Sequence, residues 1–187
     1  MDKQQKLKIE SKATVYVDFG NVYGWKDHLK QIVEPKVLYK YLNNYSKIKS
    51  INFFYGTDTN QKSIDFLKQV KKTGYNLITK PVKYITVSKV NNQEIKIRKC
   101  DFDIEICMNV YQQLQEGYQT FIFFSGDGDF APIYNFLIKQ KKQVIVIYEQ
   151  GHLGKEIWEI KKGLFKTRYS FLQVENTKII PPIARRA

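Results

Sequence analysis

The sequence predicts an α/β fold, a mainly parallel central sheet with helices on both faces. Short apolar runs of strand length alternate with segments whose apolar residues recur at helical period, and that alternation calls for parallel strands joined by right-handed crossovers. Two of the runs, 13–19 and 120–124, stop abruptly in acid-bearing turns. At 187 residues and 43% hydrophobic content, the chain is long enough for one domain with a substantial core. We expect that domain over 12–176, with loose basic termini at 1–11 and 177–187.

The first strand is expected over 13–19, rich in apolar residues and carrying Asp18. A loop and a short helix follow to Ile32. Pro35 suits the first turn of a helix, and Val37, Leu38, Tyr41 and Leu42 supply its apolar stripe. A second strand covers 49–55, ending at Gly56. Asp58 or Thr59 then caps a helix that Gly74 stops. The third strand is 76–79. Segments 83–87 and 94–98 alternate around Asn91-Asn92-Gln93, which reads as an inserted, strongly basic β-hairpin. The helix at 102–114 is expected to bury Ile104, Cys107, Met108, Tyr111 and Leu114. The strand at 120–124 runs into Ser125-Gly126-Asp127-Gly128-Asp129, then a helix to about 140, a strand over 143–148, a loop with a short helix over 151–163, and an edge strand at 171–174.

A formal net charge of +13 favours a polyanionic partner, nucleic acid first and acidic membrane second. The polar start shows no signal peptide, and no apolar run approaches the roughly 20 residues that span a bilayer. Cys100 and Cys107 would lie about 10 Å apart on a helix, too far for a disulfide. With His28 and His152 they make no zinc spacing, so the chain reads as cytoplasmic and reduced. There is no Gly-rich dinucleotide fingerprint after the first strand, no P-loop, and no D-x-D on the first strand for an aspartyl-phosphate enzyme.

The acidic turns carry the chemistry. Open α/β sheets place ligands beyond the carboxyl ends of their strands. If the first strand and the 120–124 strand are neighbours, Asp18, Asp127 and Asp129 converge. Like charges at about 4 Å and an effective dielectric near 20 repel by roughly 4 kcal/mol, so such a cluster asks for a cation or for protons. All-oxygen donors suit Mg²⁺ or Mn²⁺ rather than zinc, and such an ion beside a basic surface points to phosphodiester hydrolysis. Plainer roles stand beside these. Asp18 is also a turn residue, Asp127 and Asp129 are also helix caps, and Asp101 and Asp103 also complement a helix dipole. Tyr23 and Trp25 are either core or a base-stacking platform.

Three segments, VYVDFGN at 15–21, KCDFDIEICMN at 99–109 and FFSGDGDF at 123–130, resemble the NYN domain family, the LabA-like or DUF88 branch of the PIN-like nucleases, over roughly 12–150. The resemblance implies a PIN-like Rossmannoid fold and metal-dependent ribonuclease activity. It lays the family's acidic metal-site positions on Asp18, Asp103, Asp127 and Asp129, its supporting asparagine on Asn21 and the small polar turn residue on Ser125. One departure stands out: Asn109 occupies the place of the last aspartate of the family's helix pattern, with Glu105 one turn away to compensate.

The expected activity is a Mg²⁺- or Mn²⁺-dependent endoribonuclease. Lys83, Tyr84, Lys96, Arg98 and Lys99 of the hairpin, with Tyr23 and Trp25, are the candidate RNA contacts. The rivals are a catalytically weak or inactive RNA-binding scaffold on the same fold, and a phosphatase or nuclease acting on DNA or small nucleotides. No membrane partner is expected, and the family analogy admits a homodimer.

Overall fold

The computed structural model describes residues 5–90, 93–172 and 174. The elements run β1 (Ala13–Asp18), α1 (Phe19–Gly24), α2 (Lys26–Leu29), α3 (Pro35–Asn43), β2 (Ile48–Thr57), α4 (Gln61–Thr73), β3 (Asn76–Pro81), β4 (Lys83–Val90), β5 (Gln93–Lys99), α5 (Asp103–Gln115), β6 (Thr120–Phe124), α6 (Ala131–Lys139), β7 (Gln143–Tyr148), α7 (Lys155–Glu159) and β8 (Leu164–Arg168). Short 3-10 turns cover Gly128–Phe130 and Tyr169–Phe171. Six strands form one parallel sheet in the order β3-β2-β1-β6-β7-β8, and β4 and β5 form a separate antiparallel hairpin.

The central strands are near-continuous apolar runs because both of their faces are covered. Alternate residues serve opposite cores. Val15, Val17, Ile122, Phe124, Ile145 and Ile147 pack on one side with Leu38, Leu42 and Val70 from α3 and α4. Tyr16, Phe121, Phe123, Val144 and Val146 pack on the other with Ile106 and Val110 from α5 and Tyr134 and Leu137 from α6. One polar network sits inside this packing: the Gln113 side chain accepts from Thr14 and Tyr16 hydroxyls and donates to Ser50, which donates to Asn52.

Local chemistry sets the boundaries. Pro35 opens α3. Asn60, rather than Asp58 or Thr59, caps α4 by accepting from the Ser63 N–H at 2.9 Å. Gly74 ends α4 in the left-handed region at φ 113°. The helix after the first strand starts at once at Phe19, because Asp18 itself caps it. The final strand is Leu164–Arg168, and the segment expected as an edge strand begins instead as a 3-10 turn, with Leu172 making one bridge to Gln5. The expected apolar face of α5 is also different. Ile106, Val110 and Gln113 are buried, whereas Ile104, Met108 and Tyr111 are exposed.

What matters for the site is the strand order. From β1 the chain winds outward through β2 and β3, then crosses back to β6 on the other side of β1 and continues to β7 and β8. The order reverses between β1 and β6, and the crevice beyond the carboxyl ends of those two strands is where such sheets bind ligands.

Candidate functional site

β1 and β6 are hydrogen-bonded neighbours, with Val17 opposite Phe124. The residues that follow, Asp18 and Ser125, therefore emerge side by side. Asp18 accepts from the Asn21 N–H at 3.3 Å and so caps α1. Asp127 accepts from the Asp129 N–H at 3.0 Å and caps the 3-10 turn, while the buried Ser125 hydroxyl accepts from the Asp127 N–H at 3.3 Å. Asn21 clamps the two turns together: its side-chain oxygen accepts from the Gly126 N–H at 3.1 Å and from the Trp25 indole N–H at 3.2 Å. The capping roles are real, and they hold these carboxylates at the switch point.

The electrostatics record the crowding. Burial, with the nearby Asp127 and Asp103 carboxylates adding to it, pushes the Asp18 carboxyl up to about 6, against the opposing hydrogen bond from Asn21. Asp103, at the start of α5, is pushed up by partial burial and then by Asp127, Asp101 and Asp129. Asp129 is exposed. Below them, Tyr134 is fully buried and its hydroxyl has no hydrogen-bond partner among the described residues. Burial, then Asp18 and Asp127, raise that hydroxyl well above its ordinary value.

Among the described residues, no group of three or more His, Cys, Asp or Glu side chains stands arranged to hold a metal ion. The chemistry of the donors nevertheless fits a hard cation. Mg²⁺ keeps much of its water and is bound through one or two carboxylates together with substrate phosphates. Asp18 and Asp127 are such a pair, and a cation would offset the burial that chiefly raises Asp18 and relieve the repulsion that adds to it.

Sequence reasoning missed Glu156. Its exposed carboxylate, on α7, lies over Gly128, between Asp127 and Asp129, and a methyl group on Gly128 would overlap it. Gly126 packs still more tightly, because a methyl there would overlap the His152 peptide oxygen, and the Gly154 N–H donates to the Gly126 carbonyl at 2.7 Å. The glycines of the turn thus admit the 152–156 loop over the acids. The one available signal was that this loop follows β7, whose carboxyl end lies on the same edge of the sheet.

The remaining expectations divide. Glu105 is not aimed at the aspartates but pairs with Lys80 at 2.7 Å; partial burial opposes ionisation, yet the ammonium holds its carboxyl below the usual value. Asn109 lies about 9 Å along α5 from Asp103 at 1.5 Å per residue. It lines a polar cleft of about 420 Å³ with Ser50, Asn52, Asn76 and Gln113, and its side-chain oxygen is buried without a hydrogen-bond partner among the described residues. Trp25 is not a base platform: it is fully buried against Tyr169, and its polar edge supports Asn21. Tyr23 is exposed, with the Lys26 ammonium 3.9 Å from its ring centre. It lines a cleft of about 390 Å³ with Gly20, Tyr55, Asp58, Lys62 and Arg98, directly beside the turn after Asp18. Tyr84 and Arg98 reach the body through Asp58, and Arg98 also donates to the Gly56 carbonyl at 3.3 Å. Lys83 is exposed and Lys99 pairs with Asp101 at 3.2 Å. The Lys96 side chain lies outside the described residues. A larger cleft, about 950 Å³ between α3 and α4, brings no aspartate with it.

Comparison with known proteins bears on the family and the fold. In sequence, the chain is 22% identical over 149 residues to the Low amplitude and bright protein LabA of Synechococcus elongatus, covering 79% of this chain and 78% of that protein. In structure, it is similar to a crystal structure of a protein of unknown function from Vibrio parahaemolyticus, with a TM-score of 0.65 at 16% identity over 90% of this chain and 99% of that one. Among the described residues, no helix is long and apolar enough to cross a membrane. The family model for the NYN domain matches residues 12–159, spanning both acidic turns, α5 and the 152–156 loop. NYN domains bind RNA and fall within the PIN-like nucleases, which generally use divalent metals. The switch-point acids therefore sit within the matched region, and this chain belongs to the NYN domain family.

Proposed function

We propose that the chain is a Mg²⁺- or Mn²⁺-dependent endoribonuclease acting in the cytoplasm, carried by a single domain over 12–176. The observation that supports it best is the pair of carboxylates, Asp18 and Asp127, held together at the switch point by Asn21 with Asp18 raised to about 6. Asp18 and Asp127 are the residues that would hold the ion. When bound, it supplies Lewis acidity toward phosphate oxygens and neutralises their charge. Asp103 and Asp129 complete the acidic rim and orient the attacking water. Ser125 and Asn21 fix the turns. Lys83, Lys99 and Arg98 attract the RNA backbone, and Tyr23 offers a ring to a base beside the site.

A second reading, an RNA-binding module without cleavage, is favoured by Asn109, which stands where the family's helix pattern has its last aspartate. One assay separates the two. Labelled single-stranded RNA is incubated with Mn²⁺ and either the natural chain or Asp127→Asn. Cleavage by the natural chain that falls roughly 100-fold or more in the variant is the expected result, the scale set by loss of a positioned catalytic group. Equal rates would reject the assigned roles. Salt-sensitive binding with no cleavage by either protein would select the second reading.

A further inference from the structure

The hairpin and α5 each leave an apolar surface uncovered, and the two are complementary. In the hairpin Ile85 lies opposite Ile97, and Ile95 shares their face two residues on, with Val87 beside them at the irregularity between Thr86 and Ser88. These four side chains are between 42% and 53% exposed. The opposite face carries Tyr84 paired with Arg98, and it is this face that is tied to the body through Asp58 and Gly56. Beyond that tether the two strands pack mainly on each other. A lone two-stranded hairpin is marginal in water and needs something against its apolar side.

On α5, Ile104, Met108 and Tyr111 form one stripe at spacings of four and three, 59% to 72% exposed, facing away from the buried Ile106 and Val110. α5 contains Asp103 and Glu105 and no Lys or Arg, in a chain of net charge +13. The hairpin sequence 83–99 contains five basic residues and one acid, and Lys83 and Lys99 close the base of the aliphatic face. The apolar patches are of comparable length: Ile85 to Val87 and Ile95 to Ile97 each advance about 7 Å along the hairpin, and Ile104 to Tyr111 about 10 Å along α5.

We propose that two copies of this chain pair by exchanging hairpins, the aliphatic face of each β4–β5 hairpin lying on the Ile104–Met108–Tyr111 stripe of the other copy. One chain offers both surfaces, so the contact is made twice about a two-fold axis. That doubling moves two modest patches toward the roughly 1,200–2,000 Å² of a stable interface. A helix without a basic residue meets a hairpin rich in them, even with Glu105 held by Lys80 and Lys99 by Asp101, which favours this occupant over RNA, whose phosphates would select the lysines and leave the isoleucines bare. The inference does not depend on the nuclease reading.

The test is sedimentation of the RNA-free full chain, with two variants at exposed positions, Ile97→Glu on the hairpin and Met108→Lys on α5. The natural chain is expected to be a dimer. Each variant is expected to dissociate at least about 10-fold more readily, with a far-UV circular dichroism spectrum at low temperature that still shows a folded α/β chain. Mixing the two variants is the decisive arm. A Met108→Lys copy keeps its hairpin and an Ile97→Glu copy keeps its α5 stripe, so the mixture regains one of the two contacts and forms heterodimer. A monomeric natural chain at roughly 100 µM, weaker than any interface of standard size, would overturn the proposal. So would a dimer indifferent to both substitutions, a mixture that stays monomeric, or association that appears only when RNA is added.

Discussion

Asp18 shows what the site demands of a single residue. Its carboxyl titrates near 6 in the folded chain against an ordinary 3.8. Between those values the folded chain keeps a proton that the unfolded chain has released, so stability falls as pH rises across that window and stays reduced above it. Asp18→Asn removes this penalty and keeps a side chain able to cap α1. Without divalent cations we expect the variant to be more stable than the natural chain by on the order of 3 kcal/mol at pH 8, and about equal to it at pH 4. Chemical unfolding at the two pH values measures it. A variant less stable at pH 8 would mean that Asp18 is a structural turn residue and carries no electrostatic strain. The residue itself was legible, because an acid in a turn just past a buried apolar run is a local signal. Trp25 was not. Its spacing from Asn21 fits a core side chain and a surface platform alike, and only the packing against Tyr169 decides.

Elements make the same distinction between existence and orientation. The helix expected over 102–114 is α5 at Asp103–Gln115, but Ile104, Met108 and Tyr111 of its expected apolar face point to solvent, while Leu114 packs against the core. Both stripes recur at helical period, and the choice between them depends on which side the crossover lays against the sheet, which no local pattern states. β8 was missed for a related reason. Leu164–Arg168 is a half-exposed edge strand containing two basic residues, and Lys166 finds carbonyls of 157 and 160 at 3.2 and 2.7 Å. The turn after β6 was read from its composition, yet the reason for its glycines lies in the 152–156 loop pressed against it. Gly126→Ala would drive a methyl into the fixed His152 backbone, whereas Gly128→Ala meets the mobile end of Glu156. We expect the first to cost several kcal/mol and the second less than about 1 kcal/mol, on the scale of overpacking against rigid and yielding neighbours. Thermal unfolding of the two variants tests this, and equal losses would show that the loop does not press on the turn as described.

In the whole molecule the parallel order β3-β2-β1-β6-β7-β8 turns two local signals into one site. The alternation of strands and helices implied a parallel sheet, but the adjacency of β1 and β6 was only assumed from the sequence, because alternation and handedness do not fix strand order. That adjacency brought Asp18 beside Asp127, with Asp103 delivered by the crossover helix. Glu156 lay beyond reach, since it arrives from a loop after the next strand. The central claim is that Asp18 and Asp127 act together on one divalent ion. Calorimetric titration with Mn²⁺ of the natural chain, Asp18→Asn and Asp127→Asn tests it most directly, without depending on any RNA substrate. The account predicts one ion per chain and at least about a 10-fold loss of affinity in each variant, the scale of losing one charged donor. Unchanged Mn²⁺ affinity in either variant would contradict it.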